Sequence, residues 1–178
     1  MTLNDIMISA LAQLGRGQDA NTIEAFQKSF TDYANDAQSD IARAMRFSKT
    51  ETHAAVNGIL ELTELSRDCI RVLRTVQLGR EVRFLQGSGG EIALPYNDPV
   101  TVTYRCEPLR MTLPSDVSEL PEYTHPLMVS YIVARERMAG DVSTQGGANI
   151  YISMYEAAKQ KLRPHIGEHE SYEIINRW

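Results

Sequence analysis

Residues 67–108 read RDCIRVLRTVQLGREVRFLQGSGGEIALPYNDPVTVTYRCEP. Within this stretch the hydrophobic pattern changes from the spacing of a helix to the alternation of a strand. The alternation is clearest at Val100, Val102 and Tyr104, and glycine-rich or Asx-Pro turns separate the successive runs. The stretch therefore predicts a small antiparallel β-element between two helical arms, and nothing in it has the pattern of a catalytic site.

The β-element is predicted to cover residues 48–106. Strands are expected at 69–76, 81–85 and 100–106, a weaker one at 91–94, and residues 48–57 could pair as a further strand. Asn57-Gly58 predicts a tight turn, because both residue types tolerate a positive φ. Hairpin loops are predicted at 77–79 and 87–90.

Apolar residues at helical spacing lie on both sides of this element. Helices are predicted at about 3–14, 23–46, 122–139 and 150–162, with a polar loop at 141–149 and a short extended tail at 164–178. The predicted fold class is α+β in a single domain over residues 1–178. Its architecture is a mainly helical bundle of about four helices, with an antiparallel β-insertion between the second and third.

The composition is that of an ordinary globular protein, with 178 residues, 43% apolar residues and a net charge of −5. No apolar run approaches the ~20 residues that a membrane span requires, so no membrane association is expected. The N-terminal stretch MTLNDIMISALAQLG lacks the basic region of a signal peptide, which predicts synthesis in the cytoplasm. Cys69 and Cys106 are accordingly expected to be reduced, buried strand residues rather than a disulfide.

Candidate catalytic and metal-binding patterns are weak. The glycines of 87–90 precede a strand and no lysine follows them, so they do not form a phosphate-binding loop. His165 and His169 have the spacing of paired metal ligands, but Pro164 and Gly167 break the helix that this spacing needs. No Ser-His-Asp order or reactive-cysteine context is present. We therefore expect neither an enzyme nor a cofactor or metal.

Three aspartates, Asp32, Asp36 and Asp40, form a carboxylate row along the second predicted helix. Such a row could bind cations weakly, but a solvated or partner-facing surface is the favoured interpretation. Together with the net charge of −5, the row predicts that the protein does not hold duplex DNA tightly, because phosphate capture requires clustered cations.

Arginines are concentrated in the β-element, where they are either an outward polar sheet face or a contact surface for another subunit or partner. They are Arg67, Arg71, Arg74, Arg80, Arg83 and Arg105, of which Arg71, Arg74, Arg80 and Arg83 are the candidate contact residues. The C-terminal tail is a second candidate, because its apolar side chains are costly to leave in water. These side chains are Tyr172, Ile174, Ile175 and Trp178.

The order of elements resembles that of the head–tail connector (adaptor) proteins of tailed bacteriophages. The resemblance consists of two N-terminal helices, a β-insertion ending VTVTYRCEP, a connector ending SELPEY, and the helical segments HPLMVSYIVARERMAGD and NIYISMYEAAKQKL. The positions that carry it are Tyr104 and Pro108, Leu120-Pro121-Glu122, and Tyr155-Glu156, none of which is a catalytic signature. The β-element is longer here than in the smallest family members, which leaves its contacts open.

The resemblance implies a non-enzymatic structural protein of the virion neck. Family members form a ring, usually twelvefold, between the portal and the tail or a stopper or tail-terminator protein, with DNA passing through the channel. The C-terminal segment of the family contacts the portal, which would give that role to Tyr172, Ile174, Ile175 and Trp178. A tail-side or capsid completion protein without portal contact, or an unrelated soluble protein-interaction module, remains the alternative.

Overall fold

The computed structural model describes residues 1–140 and 142–162, with residues 142–146 described by their backbone alone. These residues divide into two compact units. A helical unit comprises Met1–Met45 and the described residues from Pro108 onward, and a β unit comprises Arg46–Glu107.

Four helices form the helical unit: α1 (Leu3–Gln13), α2 (Ala20–Met45), α3 (His125–Ala139) and α4 (Val142–Lys159). α3 packs against each of the other three helices. This central position requires apolar residues on several sides of α3, and Met128, Val129, Ile132 and Val133 are all buried. A 3₁₀ turn, Glu122–Thr124, leads into it.

Side-chain caps set the starts of the first two helices. Thr2 and Asp5 form a capping box at α1, in which each side chain accepts a hydrogen bond from the other residue's backbone N–H. Asp19 caps α2 by accepting a hydrogen bond from the Thr22 N–H at 3.1 Å. α2 therefore begins at Ala20 rather than at the predicted residue 23.

α4 differs most from its predicted bounds of 150–162, because it begins at Val142 and includes residues predicted to form a polar loop. Glycines and short polar residues disfavour a helix locally, but packing against α3 outweighs this preference. Ala148 is buried, and a Cβ atom at Gly147 would lie 3.0 Å from Arg137 Nη1. The Arg137 guanidinium lies over the Tyr151 ring, 4.9 Å from its centroid.

The segment between the β unit and α3 is attached to α2 by two buried amides. Asn35 donates from Nδ2 to the Met111 carbonyl at 2.9 Å and accepts from the Met111 N–H at 2.8 Å. Gln38 donates to the Leu109 carbonyl at 2.7 Å and accepts from Ser118 Oγ at 2.6 Å. These bonds satisfy buried backbone groups that have no strand partner.

The β unit contains two antiparallel sheets, of four and three strands. The larger has the order β1 (Ser48–His53), β7 (Val100–Arg105), β3 (Arg71–Gln77), β4 (Arg80–Glu81). The smaller has the order β2 (Ile59–Glu61), β6 (Glu91–Ala93), β5 (Leu85–Gln86). Each buries its own apolar residues: Val100, Val102 and Tyr104 in the larger, Leu60 and Ile92 in the smaller.

The predicted architecture, a mainly helical bundle with a simple antiparallel insertion, is wrong. Seven strands in two sheets form a compact unit of their own, and helices precede and follow it in the chain. Alternation identifies a strand from local sequence, whereas the number of sheets depends on pairings between distant residues. β1, for example, pairs with β7, so that Ser48 lies opposite Arg105.

The predicted single strand over residues 81–85 is also wrong. Glu81 pairs with β3 in the larger sheet, whereas Leu85 pairs with β6 in the smaller one, and the intervening residues join the two sheets. The predicted turns are confirmed. Asn57 and Gly58 have φ values of 53° and 72°, and Leu78 and Gly79 have values of 52° and 72°.

Two further expectations concern the cysteines and the membrane. Cys106 is buried, as predicted, whereas Cys69 is only partly buried, and both lie just outside the observed strands, next to β7 and β3. Burial raises the pKa of the Cys69 thiol. Within residues 1–140 and 142–162, no helix combines the length and apolarity needed to cross a membrane.

A candidate arginine–threonine interaction face

One side of the larger sheet buries apolar residues, and the other exposes a polar surface. Partners in register across an antiparallel sheet point to the same side, so the side opposite Val102 and Tyr104 can be read from the pairing. We call its threonines and arginines the arginine–threonine face: Thr50, Thr52, Thr101, Thr103, Arg71, Arg74 and Arg105. Ser48 and Val76 lie on the same side of the sheet. The hydroxyl pairs Thr50–Thr103 and Thr52–Thr101 are each hydrogen-bonded at 3.0 Å.

A β-bulge brings two of these arginines onto the same face. Arg71 and Arg74 are three residues apart, so unbroken alternation would place them on opposite sides of the sheet. The pairing shifts between Val72 and Arg74, which leaves Leu73 as the additional residue. As a result Arg71 lies opposite Arg105, and Arg74 lies opposite Thr103. Bulges commonly re-aim side chains in this way.

The cations of this face are only partly compensated. Arg74 Nε lies 3.3 Å from Glu81 Oε2 on β4, in an exposed pair that contributes little to stability. Arg71 and Arg105 face each other directly, and like charges in this position destabilise a sheet. In the described part of the chain neither has an acidic partner, and the buried Arg105 Nε has no hydrogen-bond acceptor. The face is therefore suited to an anionic group.

The four arginines chosen from the sequence do not form one surface. Arg71 and Arg74 belong to the arginine–threonine face. Arg80 pairs with Gln77 and so lies on the other side of the sheet, and Arg83 lies in the connection between the sheets. The threonines of this face were not among the predicted contact residues, although their alternation with apolar residues in VTVTY indicates that they share one side of the strand.

A second polar cluster centres on Glu51, whose side chain lies on the buried side of β1. The carboxylate accepts hydrogen bonds from the Ser66 N–H at 3.0 Å, from the Ser66 hydroxyl, and from the Tyr104 hydroxyl at 3.1 Å. His53 Nε2 and Lys49 Nζ lie 3.2 and 3.4 Å from it. The cluster attaches the segment after β2 to the edge of the larger sheet.

The pKa values of this cluster favour a structural role. Burial alone would raise the pKa of Glu51, but the hydrogen bonds from Ser66, His53 and Tyr104 outweigh it and lower the pKa to about 2. Burial raises the pKa of Tyr104 to about 12. A carboxylate with so low a pKa is a poor proton acceptor for Ser66, and in a hydrolytic triad the histidine, not the carboxylate, contacts the serine.

In the helical unit, Asp40 is the member of the aspartate row that makes strong contacts. It accepts hydrogen bonds from the Tyr155 hydroxyl at 2.6 Å and from Lys159 Nζ at 2.8 Å, so it attaches α4 to α2. Burial opposes ionisation of Asp40, but these bonds lower its pKa overall. Asp32 is exposed and lies 3.9 Å from Arg110, and Asp36 is also exposed. The row therefore combines one structural aspartate with two surface ones.

The helical unit also exposes large apolar side chains. Ile150 and Met154, one turn apart on α4, are each 61% exposed. Others lie at the end of α3 and in the segment before it: Leu109, Leu113, Val117, Tyr123 and Met138. Adjacent exposed apolar side chains such as Ile150 and Met154 are typical of contact surfaces.

Several predicted positions lie outside the described residues. They are the candidate docking residues Tyr172, Ile174, Ile175 and Trp178, and the histidine pair His165 and His169. Within residues 1–140 and 142–162, no group of three or more His, Cys, Asp or Glu side chains is arranged to hold a metal ion.

Comparison with models of known protein families finds no match, and comparison with curated proteins finds none either. The resemblance to phage connector proteins thus rests on the element order and sequence positions given above.

Proposed function

We propose that this protein is a non-enzymatic structural adaptor of a phage virion neck. In this proposal, copies made in the host cytoplasm form a ring between the portal and the tail or its stopper or tail-terminator protein. The resemblance suggests twelve copies around the DNA channel. The net charge of −5 is consistent with DNA that passes without being tightly held.

The observation that supports the proposal is that each compact unit exposes a candidate contact surface of its own chemistry. The helical unit exposes Ile150 and Met154 on α4, and the β unit exposes the arginine–threonine face. An adaptor has to bind neighbours at more than one place, and two chemically different surfaces allow it to distinguish them. Both surfaces are built on regular secondary structure, which keeps their geometry defined.

Co-purification with the portal protein encoded in the same genome tests this function. We expect the full chain to form a complex with the portal that contains many copies, measured by light scattering and electron microscopy. The double variant I150S/M154S should weaken this complex at least tenfold, because it removes two exposed apolar contacts. V56S/L85S, which changes two exposed apolar residues of the β unit, is the matched control.

A chain that remains monomeric and unbound in the presence of the portal would refute the portal adaptor. Binding to tail components alone would instead support the tail-side completion protein. Deletion of residues 170–178 tests the proposed portal contact of Tyr172, Ile174, Ile175 and Trp178 separately. An unchanged portal affinity after the deletion would remove that role from the tail segment while leaving the adaptor itself intact.

A further inference from the structure

The β unit carries a cationic surface that has more arginines than acidic partners. Three arginines and one glutamate, Arg71, Arg74, Arg105 and Glu81, give the arginine–threonine face and its adjoining strand a net charge of +2. The directly opposed pair Arg71 and Arg105 would be stabilised by an anion placed between them. The guanidinium groups favour carboxylates, which they can bind through two parallel hydrogen bonds.

The same unit carries a matching acidic segment. Residues 61–68 include the exposed residues Glu61, Glu64 and Asp68 together with Arg67, which gives a net charge of −2. The segment has a defined position, because Ser66 within it donates two hydrogen bonds to Glu51. Its conformation is therefore held on the folded unit before any partner binds.

The two surfaces lie on different sides of the β unit. Glu51 is in register with Val102, so its side chain and the attached acidic segment lie on the buried side of β1. Arg71 and Arg74 lie on the opposite side of the same sheet. In the described part of the chain, no ion pair joins the acidic segment to the arginine–threonine face. The two surfaces can instead pair between neighbouring copies arranged head to tail, an arrangement that can close into a ring.

We propose that the arginine–threonine face of one copy binds the acidic segment 61–68 of the next copy. The contact pairs Glu61, Glu64 and Asp68 with Arg71, Arg74 and Arg105, and the threonine hydroxyls supply further hydrogen-bond partners at its rim. The inference rests on the proposed function, because it identifies the contact between copies of the proposed ring. It also accounts for the bulge at Leu73, which places Arg74 beside Arg71.

A charge-swap experiment tests the contact. Variant R71E/R74E has an acidic face, and variant E61K/E64K has a basic segment. Each variant alone should self-associate at least tenfold more weakly than the parent protein, because like charges then meet. An equimolar mixture should recover self-association, since each surface of one variant complements a surface of the other. Sedimentation velocity and mass photometry, with and without the portal, measure these states, and circular dichroism confirms that each variant is folded.

Matched controls separate this contact from a general effect of charge. R80E/R83E changes the net charge as much as R71E/R74E does but lies off the face, so it should leave self-association unchanged. E24K/E122K, two exposed glutamates of the helical unit, is the control for E61K/E64K. Raising the salt concentration should weaken the parent contact, because exposed ion pairs are screened.

The proposed contact is wrong if folded variants fail to recover association on mixing, if R80E/R83E has the same effect, or if the parent chain stays monomeric on the portal. Loss of duplex DNA binding in R71E/R74E with unchanged self-association would assign the face to DNA instead. Failure of this contact can be distinguished from failure of the adaptor function. A portal complex that is sensitive to I150S/M154S but insensitive to the charge swaps would keep the adaptor and overturn this contact.

Discussion

Replacing Glu51 by glutamine is expected to destabilise the β unit strongly at neutral pH. The carboxylate joins Ser66 and Tyr104 to β1, and its pKa falls from an ordinary value of 4.5 to about 2. That difference corresponds to about 3 kcal/mol of folding free energy at pH 7. Because Ser66, which donates two of the hydrogen bonds, is exposed, solvent screens part of this interaction and about 3 kcal/mol is an upper bound. Glutamine keeps one acceptor oxygen, and we expect E51Q to lose about 2–3 kcal/mol.

The stability lost in E51Q should depend on pH. A carboxyl group whose pKa is lowered by folding contributes its full stability above its unfolded pKa of 4.5 and loses it as the pH falls through about 2. The difference between the parent protein and E51Q should therefore be largest at pH 7 and fall to roughly 1 kcal/mol at pH 3.

Urea unfolding followed by circular dichroism at pH 7 and pH 3 measures this difference, and hydrogen exchange of residues 48–53 localises it. E64Q is the matched control, because Glu64 is an exposed carboxylate in the segment 61–68 that Glu51 binds through Ser66. A difference that does not change with pH would show that packing rather than ionisation accounts for the loss. An absence of any difference at pH 7 would refute the structural role of the cluster.

Three further substitutions test the packing of the two units. Y155F should cost about 1–2 kcal/mol of folding free energy and increase hydrogen exchange in α4, because Asp40 loses a partly buried hydroxyl donor. Y151F, on the same helix, is the control, and equal exchange in the two variants would show that the Tyr155 hydroxyl does not stabilise α4. N35A should cost about 2–4 kcal/mol in urea unfolding, because it leaves the Met111 N–H and C=O without partners, whereas the exposed D36A should cost little. G58A should lower the melting temperature more than G79A does, although both glycines have a φ of 72°. A Cβ atom at Gly58 would lie 2.8 Å from the Leu94 carbonyl oxygen, whereas a Cβ atom at Gly79 would meet nothing within 4 Å. Equal effects of the two glycine substitutions would show that backbone conformation alone sets the cost.

Local signals in the sequence predicted several features correctly. The helical spacing of apolar residues predicted a helix at about 3–14, where α1 lies, and Asn57-Gly58 predicted a tight turn, in which both φ values are positive. The alternation of Val100, Val102 and Tyr104 predicted the buried side of β7. Each of these patterns depends on residues within a few positions of one another, where backbone geometry determines which side chains share a side.

Only the tertiary structure determined the features that join distant residues. The polar sequence 142–149 becomes part of α4, a helix that packs on α3. Glu81 and Leu85, predicted to share a strand, belong to two sheets because their pairing partners are β3 and β6. The sequence also indicated an arginine-rich surface, but the bulge at Leu73 and the pairing of β3 with β7 decided which arginines share it. Strand register and bulges depend on the sum of contacts across the whole sheet, and no short window of sequence contains that sum.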